Sequence, residues 1–215
     1  MGGRGASSGG IAGGTGGGKI TQVMTQSLIS AREGNQAEVD QVLQAMRMVE
    51  DMYGVVVTDA QVATLGIQDA GVMAYYDING NLAISSRYFD SATMNKAYDD
   101  CVNSGFHPSR GNKSGLEATA AHELGHRLTD VAGVNAGYGT WAVDKTAGEI
   151  VRKAANKIGY KSAAEMCAKI SGYAKQNSAE AVAEAFADVY CNGLKAKKES
   201  IAVKNELDRY FKGVL

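Results

Sequence analysis

The chain is poor in the residues that usually announce a function. Its 215 residues include one proline, three cysteines, three histidines and one tryptophan, and the formal net charge is −1. Cys101, Cys167 and Cys191 stand far apart with no CxxC pair, which excludes a disulfide framework and reads as reduced thiols. The near-zero charge provides no long-range field to recruit nucleic acid or an anionic membrane, so neither is expected as a partner. No apolar run approaches the roughly 18 residues of a membrane span. The first residues also lack the apolar core of a secretory signal peptide. A soluble, cytoplasmic chain is therefore expected. Hydrophobic residues at 45% and charged residues at 21% suffice for an ordinary core without staples.

Glycine is what the chain has in plenty, 27 in all. The opening "MGGRGASSGGIAGGTGGGKI" cannot bury a core, so residues 1–34 are expected as a flexible arm and 35–215 as one domain. "GGTGGGKI" imitates a phosphate loop, but Ile20 stands where the hydroxyl belongs and no strand precedes it. "MGGRGA" imitates a myristoylation start, but Ala6 replaces the required Ser or Thr. Arg4 without aromatic neighbours makes no nucleic-acid arm.

Further on, Val39, Val42, Leu43, Met46 and Val49 recur at helical intervals and stop at Gly54. "VVVT" reads as a short strand, and the runs around Asn79-Gly80-Asn81 read as a hairpin. A helix capped by Ser91 ends at Gly105, and another opens after the polar loop 107–114. Past a glycine-rich loop come two modest helices, a strongly patterned one from Ser178 to Asn192, and a last helix. The pattern predicts an α+β fold, mainly helical, with a small antiparallel or mixed sheet.

Chemistry concentrates in "ATAAHELGHRLTD". Residues four apart on a helix differ by about 40° in direction and about 6 Å in height. His122 and His126 therefore face one ion, and Glu123 flanks them within reach of a water bound there. The helix is otherwise apolar, so unpartnered His and Glu side chains would be costly. Gly125 costs a helix interior about 1 kcal/mol relative to Ala, and a close approach by another backbone explains it. The third ligand is less evident. His107 lies in a loop-like stretch. Thr129 and Ala132 occupy the positions where H-E-x-x-H-x-x-G-x-x-H needs Gly and His, and Asp144 falls one residue late for a G-T-x-x-D ligand. Asp130 lies about 12 Å along the axis from His122, too far to share the ion but able to orient one histidine. That leaves Glu180, Glu184 and Asp188, repeating every four residues in "SAEAVAEAFADVY". Like charges at that spacing repel, and the alanines around them permit close packing on the His122 helix. A glutamate ligand from this helix is expected, with the choice among the three acids open.

Together with "HELGH", the stretch "SGYAKQNSAEAVAEAFADVY" resembles the motifs of the anthrax lethal factor-like zinc metallopeptidases, gluzincins with a zincin-like fold. The match covers Tyr173, Asn177, Glu180, Ala183, Glu184, Ala185 and Phe186 without a gap, while Ala181 and Val182 replace bulkier aromatic residues. The resemblance implies one Zn²⁺ held by His122, His126 and Glu180, with Glu184 supporting a histidine ligand from behind. It implies Glu123 as general base and Tyr173 as stabiliser of the tetrahedral intermediate. A register one turn later would make Glu184 the ligand and Asp188 its supporter. The implied activity is a zinc-dependent endopeptidase acting on an extended protein or peptide substrate, expected along a sheet edge near "GNLAISSRYF". The start "MGGRGASSGG" is similar to starts of phage and mobile-element proteins. It implies an alternative: a non-catalytic, assembly-associated protein that retains the metallopeptidase fold, with phage or virion partners and a virion-associated location.

Overall fold

The computed structural model describes residues 6–8, 22–57, 59–65, 71–76, 80–139 and 142–211. Among them run the helices α1 (Leu28–Tyr53), α2 (Ser91–Asn103), α3 (Gly115–Asn135), α4 (Val143–Lys157), α5 (Ala163–Ile170), α6 (Ser178–Asn192) and α7 (Lys198–Asp208). Strands β1 (Ala6–Ser8), β2 (Gln22–Ser27), β3 (Asp59–Leu65), β4 (Val72–Tyr76) and β5 (Asn81–Ser85) form one sheet in the order β1-β4-β5-β3-β2. The β3–β5 pair is parallel and the other described pairs are antiparallel, so the sheet is mixed. The fold is α+β and mainly helical, as expected. No described helix is long and apolar enough to cross a membrane.

Several local expectations change. The boundary at residue 34 falls inside α1, beside a non-helical residue, Asn35. Leu28 and Ala31, ahead of it, are already buried in the core. The apolar period becomes readable only after this kink, which is why the sequence placed the start too late. Residues 55–57 are not a strand: Val55 and Val57 bury their side chains while Val56 stays exposed, and pairing begins at Asp59 with β5 and at Gln61 with β2. The hairpin is present, with Ala74 opposite Ile84, although its turn at 77–79 lies outside the described residues. β5 lies between β4 and β3. Both its backbone edges are used, so an extended substrate has no free edge along Asn81–Ser85, contrary to expectation. Asp90 rather than Ser91 caps α2, accepting from the Thr93 amide at 2.8 Å. Ser91 instead donates to Glu38 Oε1 at 2.8 Å and ties α2 to α1.

Helix α3 is the centre of the molecule. Ser114 and Glu117 form the capping box that starts it, each side chain accepting from the other's backbone amide. With α1, α2, α4, α6 and β4 packed around it, α3 is buried nearly all round, which is why it lacks a polar face. Helix α6 crosses it antiparallel, as three contacts in reversed order show: Glu117 with Tyr190, His122 with Glu184, and His126 with Glu180. At the crossing, a Cβ on Gly125 would sit 2.7 Å from the Ala183 Cα, inside van der Waals contact.

Gly125→Ala is therefore expected to lower stability by about 1–3 kcal/mol despite a gain of about 1 kcal/mol in helix propensity. The denaturant midpoint should fall with an unchanged m value. The thiols give a second expectation. Burial pushes Cys101 and Cys167 up to about 11 and Cys191 up to about 12, and only the thiolate reacts readily. At pH 8 a thiol reagent should label the folded chain slowly and the denatured chain at all three positions.

Candidate metal centre

Two capped helices deliver the site. The capping box at Ser114 sets the start of α3, and His122 and His126 then project from one side with ring centroids 5.0 Å apart. His122, Glu123 and His126 form a buried group, their ligand atoms all within 4.8 Å of one another, that could hold a metal ion. Helix α6 starts at Asn177, whose side chain accepts from the Glu180 amide at 2.9 Å and fixes the first turn. Glu180 Oε2 then lies 3.1 Å from His122 Nε2 and 3.3 Å from His126 Nε2. One turn later, Glu184 Oε1 accepts from His122 Nδ1 at 2.8 Å. Glu180 thus faces the front of the histidine pair and Glu184 the back of one ring. Asp188 turns away, accepting from Asn192 Nδ2 at 2.8 Å and from the Lys197 amide at 3.0 Å. The structure does not build the register in which Asp188 supports a ligand. Asp130 is buried one turn beyond His126, and both ring nitrogens of His122 already face Glu180 and Glu184.

The acidic balance of the site calls for a cation. Glu123, Glu180 and Glu184 are all buried beside His122 and His126, where uncompensated charge is expensive. Burial alone would raise Glu180, but the imidazoles of His126 and His122 outweigh it and hold the carboxyl far below the usual range. Glu184 is likewise held near 2: burial opposes ionisation, and the His107 and His122 rings overcome it. Burial would lower His122, yet hydrogen bonds to Glu180 and Glu184, with the charge of Glu123, raise it well above its ordinary value. A divalent ion would replace that borrowed proton. The spacing fits one, since a tetrahedral ion with bonds of about 2.0–2.1 Å separates its ligand atoms by about 3.3–3.4 Å. His126 Nε2 is buried and makes no well-formed hydrogen bond, although Glu180 Oε2 approaches it to 3.3 Å; it is the kind of atom an ion would satisfy. Glu123 and Glu180 are both close enough to be ligands. Glu180 contacts both Nε2 atoms, and Glu123 belongs to the buried group on α3.

Tyr173 sits in the short 3-10 turn Tyr173–Lys175 between α5 and α6. Its ring stacks on His122 at 5.5 Å and 13°. Burial, then the charges of Glu180, Glu123 and Glu184, push its hydroxyl far above the ordinary phenol range, so it stays a protonated donor. Two further residues join the site from places the sequence did not mark. His107 Nδ1 lies 2.9 Å from Glu184 Oε1, and Ser171 donates from Oγ to Glu184 Oε2 at 2.7 Å. The scarcity of histidine was the only hint of His107. Nothing in "KISGY" distinguishes Ser171.

Because the Asn177 cap holds the turn that carries Glu180, Asn177→Ala is expected to cost about 1 kcal/mol, measured by urea denaturation, while Asn177→Asp should retain most of it. Comparisons with protein families, with curated proteins and with solved structures found no match for this chain.

Proposed function

We propose that the chain is a zinc-dependent endopeptidase, with His122, His126 and Glu180 as the protein ligands of one Zn²⁺. The observation that carries the reading is the convergence of three buried ligand atoms at 3.1 and 3.3 Å, close to the edge of a zinc tetrahedron. The resemblance of "HELGH" and "YAKQNSAEAVAEAF" to the lethal factor-like metallopeptidases supports the same assignment from the sequence side. Zinc bound there would act as a Lewis acid on a water and on the substrate carbonyl.

The chain's own groups complete the reaction. Glu123, buried beside the histidine pair, accepts the proton of the attacking water and passes it to the leaving amine. Tyr173 donates its hydroxyl hydrogen bond to the carbonyl oxygen as negative charge develops. Glu184 accepts the hydrogen bond of His122 Nδ1–H, which leaves the Nε2 lone pair directed forward. Asp130, one turn beyond His126, is read as support for the second imidazole. The substrate is a protein or peptide.

Purified protein is expected to carry about one zinc per chain. Glu123→Gln should keep the metal and lower cleavage of a mixed peptide library by about 10²–10⁴-fold. Glu180→Ala should lose the metal, whereas Glu184→Ala should weaken its affinity by about 10–100-fold. Protein that takes up no zinc would overturn the assignment. Stoichiometric zinc with no cleavage of any library would instead leave a non-catalytic, assembly-associated protein as the better reading.

A further inference from the structure

His107 takes no part in the chemistry proposed above, yet it is 4% exposed and hydrogen-bonded into the centre of the site. Its place is fixed by the end of α2. Gly105, at φ 75°, reverses the chain, and the amides of Phe106 and His107 both donate to the Cys101 carbonyl, at 2.8 and 3.3 Å. Tyr98 stacks on the imidazole at 5.1 Å and 11°, while Tyr173 meets it edge-on at 5.6 Å and 83°. The ring therefore has little freedom to turn.

Glu184 does need to be held. The terminal torsion of a Glu side chain is broad, so one hydrogen bond would leave the carboxylate free to swing. Here Oε1 accepts from His107 Nδ1 and His122 Nδ1, and Oε2 accepts from Ser171 Oγ. Donors on both oxygens set the plane of the group. His107 does this at a cost. With its proton on Nδ1, the buried Nε2 has no hydrogen-bond partner among the described residues, and an unpaired buried acceptor is unfavourable. Packing between Tyr98 and Tyr173 gives no reason to accept that cost, since a phenylalanine would fill the slot without it. The contact with Glu184 does give one.

We propose that His107 is a positioning residue for the metal centre: its Nδ1–H pins Glu184 against His122 Nδ1 and thereby aims His122 Nε2 at the ion. This rests on the zinc reading for the identity of the ion, while the hydrogen-bond relay itself can be tested without metal.

Two substitutions separate the hydrogen bond from the packing. His107→Phe keeps a ring between Tyr98 and Tyr173 but removes the donor. His107→Asn keeps a donor near the Nδ1 position but removes the ring. In the full chain, zinc affinity against a competing chelator is expected to fall about tenfold or more in His107→Phe and to recover in part in His107→Asn. Proton NMR of the metal-free chain provides the second measurement. The His122 Nδ1–H signal should be downfield and slow to exchange in the wild type, should exchange faster in His107→Phe, and should return towards wild type in His107→Asn. An unchanged His122 proton together with unchanged zinc affinity in His107→Phe would reduce His107 to packing and overturn the proposal. A wild-type chain that binds no zinc would count against the metalloenzyme reading alone, because the proton signal still decides this one.

Discussion

Everything at the candidate metal centre depends on how closely two helices approach. α3 brings two imidazoles and α6 brings two carboxylates, and these side chains meet because nothing larger than hydrogen stands at residue 125 opposite Ala183. Alanines at 181, 183, 185 and 187, buried along α6, extend the same economy of volume. Small residues at a crossing are usually read as weak packing, because they bury little area each. Here close backbone contact lets short side chains reach one point, and the stability of the crossing comes from the many buried groups around it.

That geometry concentrates negative charge, and the surroundings are organised to bear it. Glu184 lies within reach of three donors, Glu180 of two imidazoles, and Tyr173 and Asn177 fix the surfaces next to them. The donors come from the residues that follow α2, from α3 and from the end of α5. The centre therefore joins segments that no single helix pair would hold together.

Much of this was legible in the sequence, and the reason differs by element. The apolar periods of the helices and the pairing of two motif-bearing helices through small residues both follow from local rules. Gly125 was readable because a glycine within a buried helix needs a cause. Errors arose where a rule had two local solutions: Asp90 and Ser91 can both cap a helix, and Val55 and Val57 can be buried without pairing. The edge or interior position of β5 depends on a parallel partner, β3, which periodicity does not reveal. His107 was illegible for a different reason. Its partner Glu184 is remote in sequence, and a histidine before a proline in a polar loop carries no period at all.

The capped start of α6 also constrains how this chain can change over time. Asn177 sets the phase of the helix, and each residue added or lost between it and Glu184 turns all that follows by about 100°. A single-residue insertion between Asn177 and Glu180 would bring alanines to the imidazoles and carry both carboxylates round the helix together, and one between Glu180 and Glu184 would displace Glu184 alone. The connections before and after α4, which supply no ligand in this assignment, are under no such rule and can lengthen or shorten provided their ends still meet. Substitutions and loop changes are thus open to this protein across most of its surface, whereas the seven positions from Ser178 to Glu184 are closed to any change in count.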